Sequence, residues 1–424
     1  MSLRIVGAGR CVDSIGSAIR EPVSVSTKTP RFDALEVENV LYVDFTRCSE
    51  ECYHVSIADT YGRYRQTLAG DPLAIGVALV VLWMVLSLVS GLLSGGIQVS
   101  SLASLVWDGL LRGLIIGLAG IGLSMTYSIL NFANFAHGDY LTSGAFAGMA
   151  TSYLVAGISE NSVGPLLLVG AGGSVFGGAL GIGVTTAPLA VVLGAVVAGA
   201  FAVLLALAID RIAYRPIRDE SGIALLITSI GVAFALRYLI QFVFGAGVRG
   251  TTAAGSVPRV NVPMLDGTVR ITAHDIALVV VAIGLMLGVH LLLQRTKLGK
   301  AMRAMSDNED LAQITGIPTE QVIRTTWIVG GGLTGVAGYM FVLWKGTLGF
   351  NDGWLLLLLV FAAVILGGIG SIYGAIGGGI IIGLTASVSV IWIPSEFGRA
   401  AAFVVMIVIL LFKPEGIFSG RTTA

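Results

Sequence analysis

Asn134, His137 and Asp139 stand within six residues of one another in the run Leu130-Asn131-Phe132-Ala133-Asn134-Phe135-Ala136-His137-Gly138-Asp139. Ionisable groups inside a bilayer are costly and tend to mark ion or substrate paths. His137 or Asp139 could therefore serve a carrier driven by an ion gradient. The same residues, placed where one helix stops and the next starts, could instead cap helix ends or face a substrate path. The other ionisable residues in apolar stretches are Asp108, Arg112, Arg237, His290 and Lys345, mostly near the ends, where snorkelling and interhelical hydrogen bonds are the plainer roles. Cys48, Cys52 and His54, with Cys11 upstream, form only a loose zinc-like pattern, and no metal site is expected. No G-x-x-x-x-G-K-[ST] loop is present, because Gly299-Lys300 is followed by Ala301. The chain is not expected to bind ATP in that way, nor any other cofactor. It also lacks the clustered His or acidic pairs that a membrane enzyme needs.

The elements that position these residues follow from composition. The 424 residues are 55% hydrophobic and only 12% charged, with a mean hydropathy of +0.90, against roughly 25% charged in soluble domains. Fifty-eight glycines suit helices that approach closely without help from apolar burial. Net charge is zero, so nucleic acid is not a partner, since phosphate binding needs a basic face. The expected fold class is all-α: a polytopic transmembrane helical bundle with broken or re-entrant Gly-rich segments.

Residues 1–70 are mixed and polar, carry no secretory signal pattern, and are expected to form a cytoplasmic extension. The extension is either poorly ordered or the product of an early start codon, although the next methionine, Met84, already lies in the membrane. Residues 71–418 form the transmembrane domain. Apolar runs of about the 20 residues that cross a bilayer predict some ten spans, near 73–93, 103–130, 139–156, 186–209, 221–244, 274–294, 326–345, 354–372, 375–393 and 397–412. The pair 354–372 and 375–393 reads equally as a re-entrant hairpin. The stretch 163–184 is expected to be an external loop or interfacial segment. Basic residues favour the cytoplasmic side. Arg211, Arg215 and Arg218, the group Arg295, Lys297, Lys300, Arg303 and Arg324, and finally Lys413 all fall on one side. That count predicts a multi-pass cell-membrane protein with both termini cytoplasmic. Arg249, Arg259, Arg270 and Arg399 fall outside.

The loop 295–325 is the longest polar connection, and within it Asn308 or Asp307 can cap a short helix. Glu309 and Asp310 complement its dipole, Gly316 ends it and Pro318 prevents continuation. From spacing alone this helix could equally lie on the bilayer surface or meet a partner.

In this loop the sequence resembles the branched-chain amino acid permeases of ATP-binding-cassette importers, whose coupling helix carries an A-x-x-x-G motif, here Ala312 and Gly316. Thr296-Lys297-Leu298-Gly299 and Arg303-Ala304 are similar to the family's preceding run, and Gly330 to Gly338 to its following one. Asn134, Phe135, Ala136, His137 and Gly138 match the family's N-F-A-H-G hallmark. The segment Leu366-Gly367-Gly368-Ile369-Gly370-Ser371-Ile372-Tyr373-Gly374-Ala375 resembles its Gly-rich break, and Lys413 to Phe418 its C-terminal pattern. The resemblance covers roughly Leu102 to Phe418. It implies ATPase coupling through Arg303, Asp310, Ala312, Gly316 and Ile317. It implies a substrate path or helix break at Asn134, Phe135, His137, Gly138, Gly367, Gly368, Gly370 and Ser371. It also implies, as partners, a homologous second permease, two ATPase subunits and an extracytoplasmic solute-binding protein, with leucine, isoleucine and valine as substrates or urea and short amides as the sibling possibility. Arg237 departs from the pattern, since an uncharged polar residue is expected there.

Overall fold

The computed structural model describes residues 72–156, 182–251 and 257–418. The N-terminal extension, with Cys11, Cys48, Cys52 and His54, and nearly all of 163–184 lie outside the described residues. The chain divides into a unit ending at Gly76 and a larger one, Val77–Ala424, that holds the bundle. In chain order the described helices begin with α1 (Pro72–Leu93), α2 (Val99–Leu130), α3 (His137–Ala156), α4 (Pro188–Ile209) and α5 (Gly222–Phe244). After α6 (Ala273–Arg295) come the short α7 (Lys297–Asp307) and α8 (Glu309–Ile314), then α9 (Thr319–Lys345), α10 (Asp352–Gly367), α11 (Ile372–Val388) and α12 (Gly398–Phe412). Eight of the described helices are long and apolar enough to cross a membrane; the other two of the bundle are the polar α3 and the 16-residue α10.

Burial sorts these helices. The most apolar stretches of α2 and α9 are 78% and 72% buried, whereas those of α1 and α12 are 0% and 11% buried. α2 and α9 are thus the core, and the outer helices turn side chains such as Leu79, Trp83, Phe234 and Leu287 outward. Such an apolar surface suits lipid. Small residues set the core contacts. A Cβ on Gly113 of α2 would stand 2.8 Å from the Ile380 Cα of α11, and one on Gly379 would stand 2.6 Å from the Gly117 amide nitrogen. The two backbones touch, which only glycine permits.

Two pairs of short strands complete the fold. β1 (Arg249–Gly250) pairs with β4 (Thr347–Leu348), and β2 (Arg259–Met264) pairs antiparallel with β3 (Gly267–Thr272), with Val262 opposite Val269. At the tip of this hairpin Asp266 accepts hydrogen bonds from the Val99 and Ser100 amides at 2.5 and 3.0 Å. It thereby supplies partners to the open N-terminus of α2. Thr272 and Asp275 form a capping box at the start of α6.

Several boundaries differ from the sequence reading, for physical reasons. α9 starts at Thr319 rather than 326, because its first turns are polar and escape a reading based on apolar length. α10 stops at Gly367 rather than 372, because Gly368 and Gly370 adopt φ of 102° and 86°, where a right-handed helix cannot continue. The polar loop holds two helices, α7 and α8, rather than one.

Candidate functional site

The break between α2 and α3 runs back into the bundle. His137 Nε2 lies 2.9 Å from the Ala119 carbonyl oxygen, and Ala119 is 11 residues before the end of α2, roughly 16 Å along the helix. A carbonyl only accepts, so Nε2 carries the hydrogen. Thr334 Oγ1, 3.0 Å from the same nitrogen, donates its own hydrogen to the Gly330 carbonyl at 2.7 Å. Asn134 folds its Oδ1 onto the Ala136 amide at 3.0 Å and accepts from the Tyr214 hydroxyl at 3.1 Å. Tyr214 in turn stacks on Trp327, with centroids 5.6 Å apart. The Phe135 amide donates to Ser229 Oγ at 3.1 Å, and its ring lies 4.9 Å from that of Phe361. Gly138 passes α10 so closely that a Cβ would sit 2.7 Å from the Gly353 oxygen. The hallmark residues therefore join α2, α3, α5, α9 and α10.

Beside this junction Arg237 of α5 grips Asp139 of α3 with two bonds, Nε to Oδ1 at 3.2 Å and Nη2 to Oδ2 at 2.9 Å. Both side chains are buried. The guanidinium lies over the Trp354 ring at 4.3 Å and the Phe234 ring at 5.4 Å, where the face of the π system favours a cation. The charged residue that departs from the family pattern thus has a partner. A buried charge needs one.

The second break, Gly367 to Ser371, lies at the end of the bundle that carries α7 and α8. A Cβ on Gly367 would overlap the Gly374 carbonyl, so α10 and α11 cross backbone to backbone. Ser371 Oγ caps α11 by accepting from the Gly374 amide at 3.0 Å. The Leu366 and Gly367 carbonyls accept from the amides of Ile417 and Phe418 at 2.9 and 3.1 Å. The C-terminal pattern residues thereby complete the break.

At the same end Asn308 Oδ1 caps α8 through the Leu311 amide at 2.8 Å, Gly316 reverses the chain at φ 84°, and the Ile317 amide bonds the Ala312 carbonyl at 3.0 Å. Ala312 is buried, whereas Leu311 and Ile314 are 58% and 82% exposed; Asp310 is exposed beside them. Arg303 of α7 reaches Gln294 at 3.4 Å and shares a small cleft with Ser128, Ser306 and Gly370. α7 also buries Met302 and Met305. The structure therefore brings the loop residues to the second break through Arg303 and Gly370, while Asn134 and His137 lie deeper in the bundle.

Sequence reasoning missed Leu311 and Ile314, whose exposure on a six-residue helix has no periodic signal. It also missed the bracket formed by Arg218, which bonds Glu320 and Asp210 at 2.8 Å each and ties the 210–218 segment to the start of α9. Its bonded residues Arg218 and Glu320 lie 102 residues apart.

A family profile described as branched-chain amino acid transport system / permease component matches residues 105–411. The chain is 28% identical over 314 residues to the high-affinity branched-chain amino acid transport system permease protein LivH of Escherichia coli (strain K12), covering 74% of this chain and 94% of that protein. It is 28% identical over 312 residues to the corresponding protein BraD of Pseudomonas aeruginosa, covering 73% and 93%. A probable branched-chain amino acid transport permease protein LivH of Methanocaldococcus jannaschii is 29% identical over 309 residues, covering 71% and 87%.

Proposed function

Because the chain belongs to the branched-chain amino acid transport permease family, we propose that it is the membrane-spanning subunit of an ATP-driven, binding-protein-dependent importer of leucine, isoleucine and valine. It works with a second, homologous permease, two separate ATPase subunits and an extracytoplasmic solute-binding protein. The observation that carries this reading is α8, which turns Leu311 and Ile314 outward while Ala312 anchors it. Apolar side chains at helical spacing on a short, capped helix suit the groove of a partner.

A push on α8 has two routes inward. One passes through Asn308 into α7, whose buried Met302 and Met305 pack into the bundle beside the Gly370 break. The other passes through Ile317 into α9 and, by the Arg218 bracket, into the end of α4. Both lead toward the helix breaks, where irregular backbone can shift at the least cost in helix hydrogen bonds. The basic residues gathered at this end favour its placement in the cytoplasm, with both chain termini.

The ion-coupled alternative needs a buried group free to take up and release a charge. Asp139 is held by Arg237, and Nε2 of His137 is engaged by Ala119 and Thr334.

The test is uptake of labelled leucine by membranes holding the full complex, with the wild type compared with Ile314→Glu and Gly316→Glu. We expect ATP-dependent uptake to fall at least about tenfold, the loss that about 1.4 kcal/mol of docking energy gives, with the protein inserted normally. Unchanged uptake in both variants would leave α8 a mere surface helix and the reading without its support.

A further inference from the structure

At the opposite end of the bundle, α2, α9, α10 and the start of α12 line an open cavity of about 490 Å³, within the roughly 300–1,000 Å³ range of small-molecule sites. Asp108 and Arg112 lie one helical turn apart on α2 and so share a face. Arg399 faces them from α12, and the Lys345–Asp352 ion pair, 2.8 Å, closes another side. Among the described residues, no hydrogen bond or ion pair within 4.0 Å engages Asp108, Arg112 or Arg399; Arg112 lies over the Trp344 ring, at 5.8 Å. Asp108 and Arg112 feel each other's charge across that turn, and with the Lys345–Asp352 pair cancelled the cavity keeps one guanidinium in excess, that of Arg399. The remaining wall is apolar, built of Leu355, Leu356 and Leu359 with Phe341.

We propose that this cavity is the receiving site for a free α-amino acid with an aliphatic side chain. The ammonium faces Asp108, the carboxylate faces Arg112 and Arg399, and the side chain lies on the α10 leucines. This rests on the importer reading and deepens it. Guanidiniums recognise carboxylates by paired, charge-assisted bonds. A neutral solute such as urea satisfies neither set of charges, and a dicarboxylate is repelled by Asp108 and has nothing to place on the leucines. The charge pattern therefore separates two substrate classes between which the family resemblance does not decide.

The experiment uses the full chain in phosphatidylcholine nanodiscs with Leu355→Cys, and Phe341→Cys on the facing wall should the first variant fail to insert. Maleimide labelling at that position is read by mass spectrometry, which separates it from Cys11, Cys48 and Cys52. Leucine should slow labelling, by about tenfold at about ten times its half-saturating concentration. Urea, 4-methylpentanoate and 3-methylbutylamine should protect at least about tenfold less well, each lacking one or both charges of the pair. Asp108→Asn should lower protection by leucine to the level of 4-methylpentanoate, and Arg399→Gln should lower it toward that of 3-methylbutylamine. The proposal is overturned by absent protection, by equal protection with urea, or by protection that appears with phosphatidylethanolamine lipid regardless of leucine. ATP-dependent uptake by the wild-type complex without protection of the cavity would sink this site and leave the importer reading intact. Protection alongside ATP-independent uptake would do the reverse.

Discussion

Asp139 and Arg237 show what a single side chain contributes in this bundle. Each is buried, and each is the other's neutralising partner. Removing one leaves a charge in a low-dielectric site, which costs about 3–5 kcal/mol, whereas replacing both by apolar groups is often close to neutral. Thermal unfolding in detergent should therefore show a large loss for Asp139→Asn or Arg237→Leu alone, and recovery of most of it in Asp139→Leu with Arg237→Met. Equal losses in single and double variants would mean that the pair does more than balance charge. At this scale the sequence was legible where partners are close along the chain. Asn134 and Ala136, two residues apart, form the bond that a helix break calls for. Arg237 registered only as a misfit, since its partner is 98 residues away and no local spacing points to it.

The same distinction holds for whole elements. Asn308, Gly316 and Pro318 were readable as the frame of α8, because capping acts over three or four residues. The cap on α2 was not, because Asp266 comes from a hairpin 166 residues later. The hydrogen bond from the Ser100 amide, opposed by a smaller effect of desolvation and joined by a still smaller one from Val99, holds the Asp266 carboxyl below its ordinary range. A depressed value means that the cap is fully present above the unfolded carboxylate range, near 4, and is lost as pH falls through the folded value. Hydrogen exchange at Val99 and Ser100 should be slow and steady from neutral pH down to that range, corrected for intrinsic rates, and then accelerate. Asp266→Asn should exchange faster at neutral pH and lose the acid-dependent step; a retained step would assign it to another group. The glycine-rich composition foretold close helices, but not that Gly113 and Gly379 mark one crossing. Gly379→Val should strain that contact by at least about 1–3 kcal/mol, visible as a lower unfolding temperature than for a lipid-facing change such as Leu287→Val.

At the scale of the molecule, the succession of apolar helices followed from hydropathy, with eight of the described helices long and apolar enough to cross against some ten expected spans, while the depth of α3 did not, because apolar length says nothing about where a helix begins within the bundle. The contacts gather Arg218, Arg295, Arg303 and Lys413 at the α8 end and Arg259, Arg270 and Arg399 at the other. In a chain with Cys11, Cys48 and Cys52 replaced by Ser, Leu265→Cys, 95% exposed at the hairpin tip, should react with an impermeant maleimide on intact cells. Ile314→Cys should react only after permeabilisation, and the opposite pattern would invert the proposed orientation. The closing of the second break by Ile417 and Phe418 bears on biosynthesis. The Leu366 and Gly367 carbonyls leave the ribosome some fifty residues before the amides that satisfy them. The α10–α11 pair must therefore wait, incomplete, until α12 has been threaded, and a nascent chain stalled before Lys413 would expose an open helix end to the quality-control proteases of the membrane.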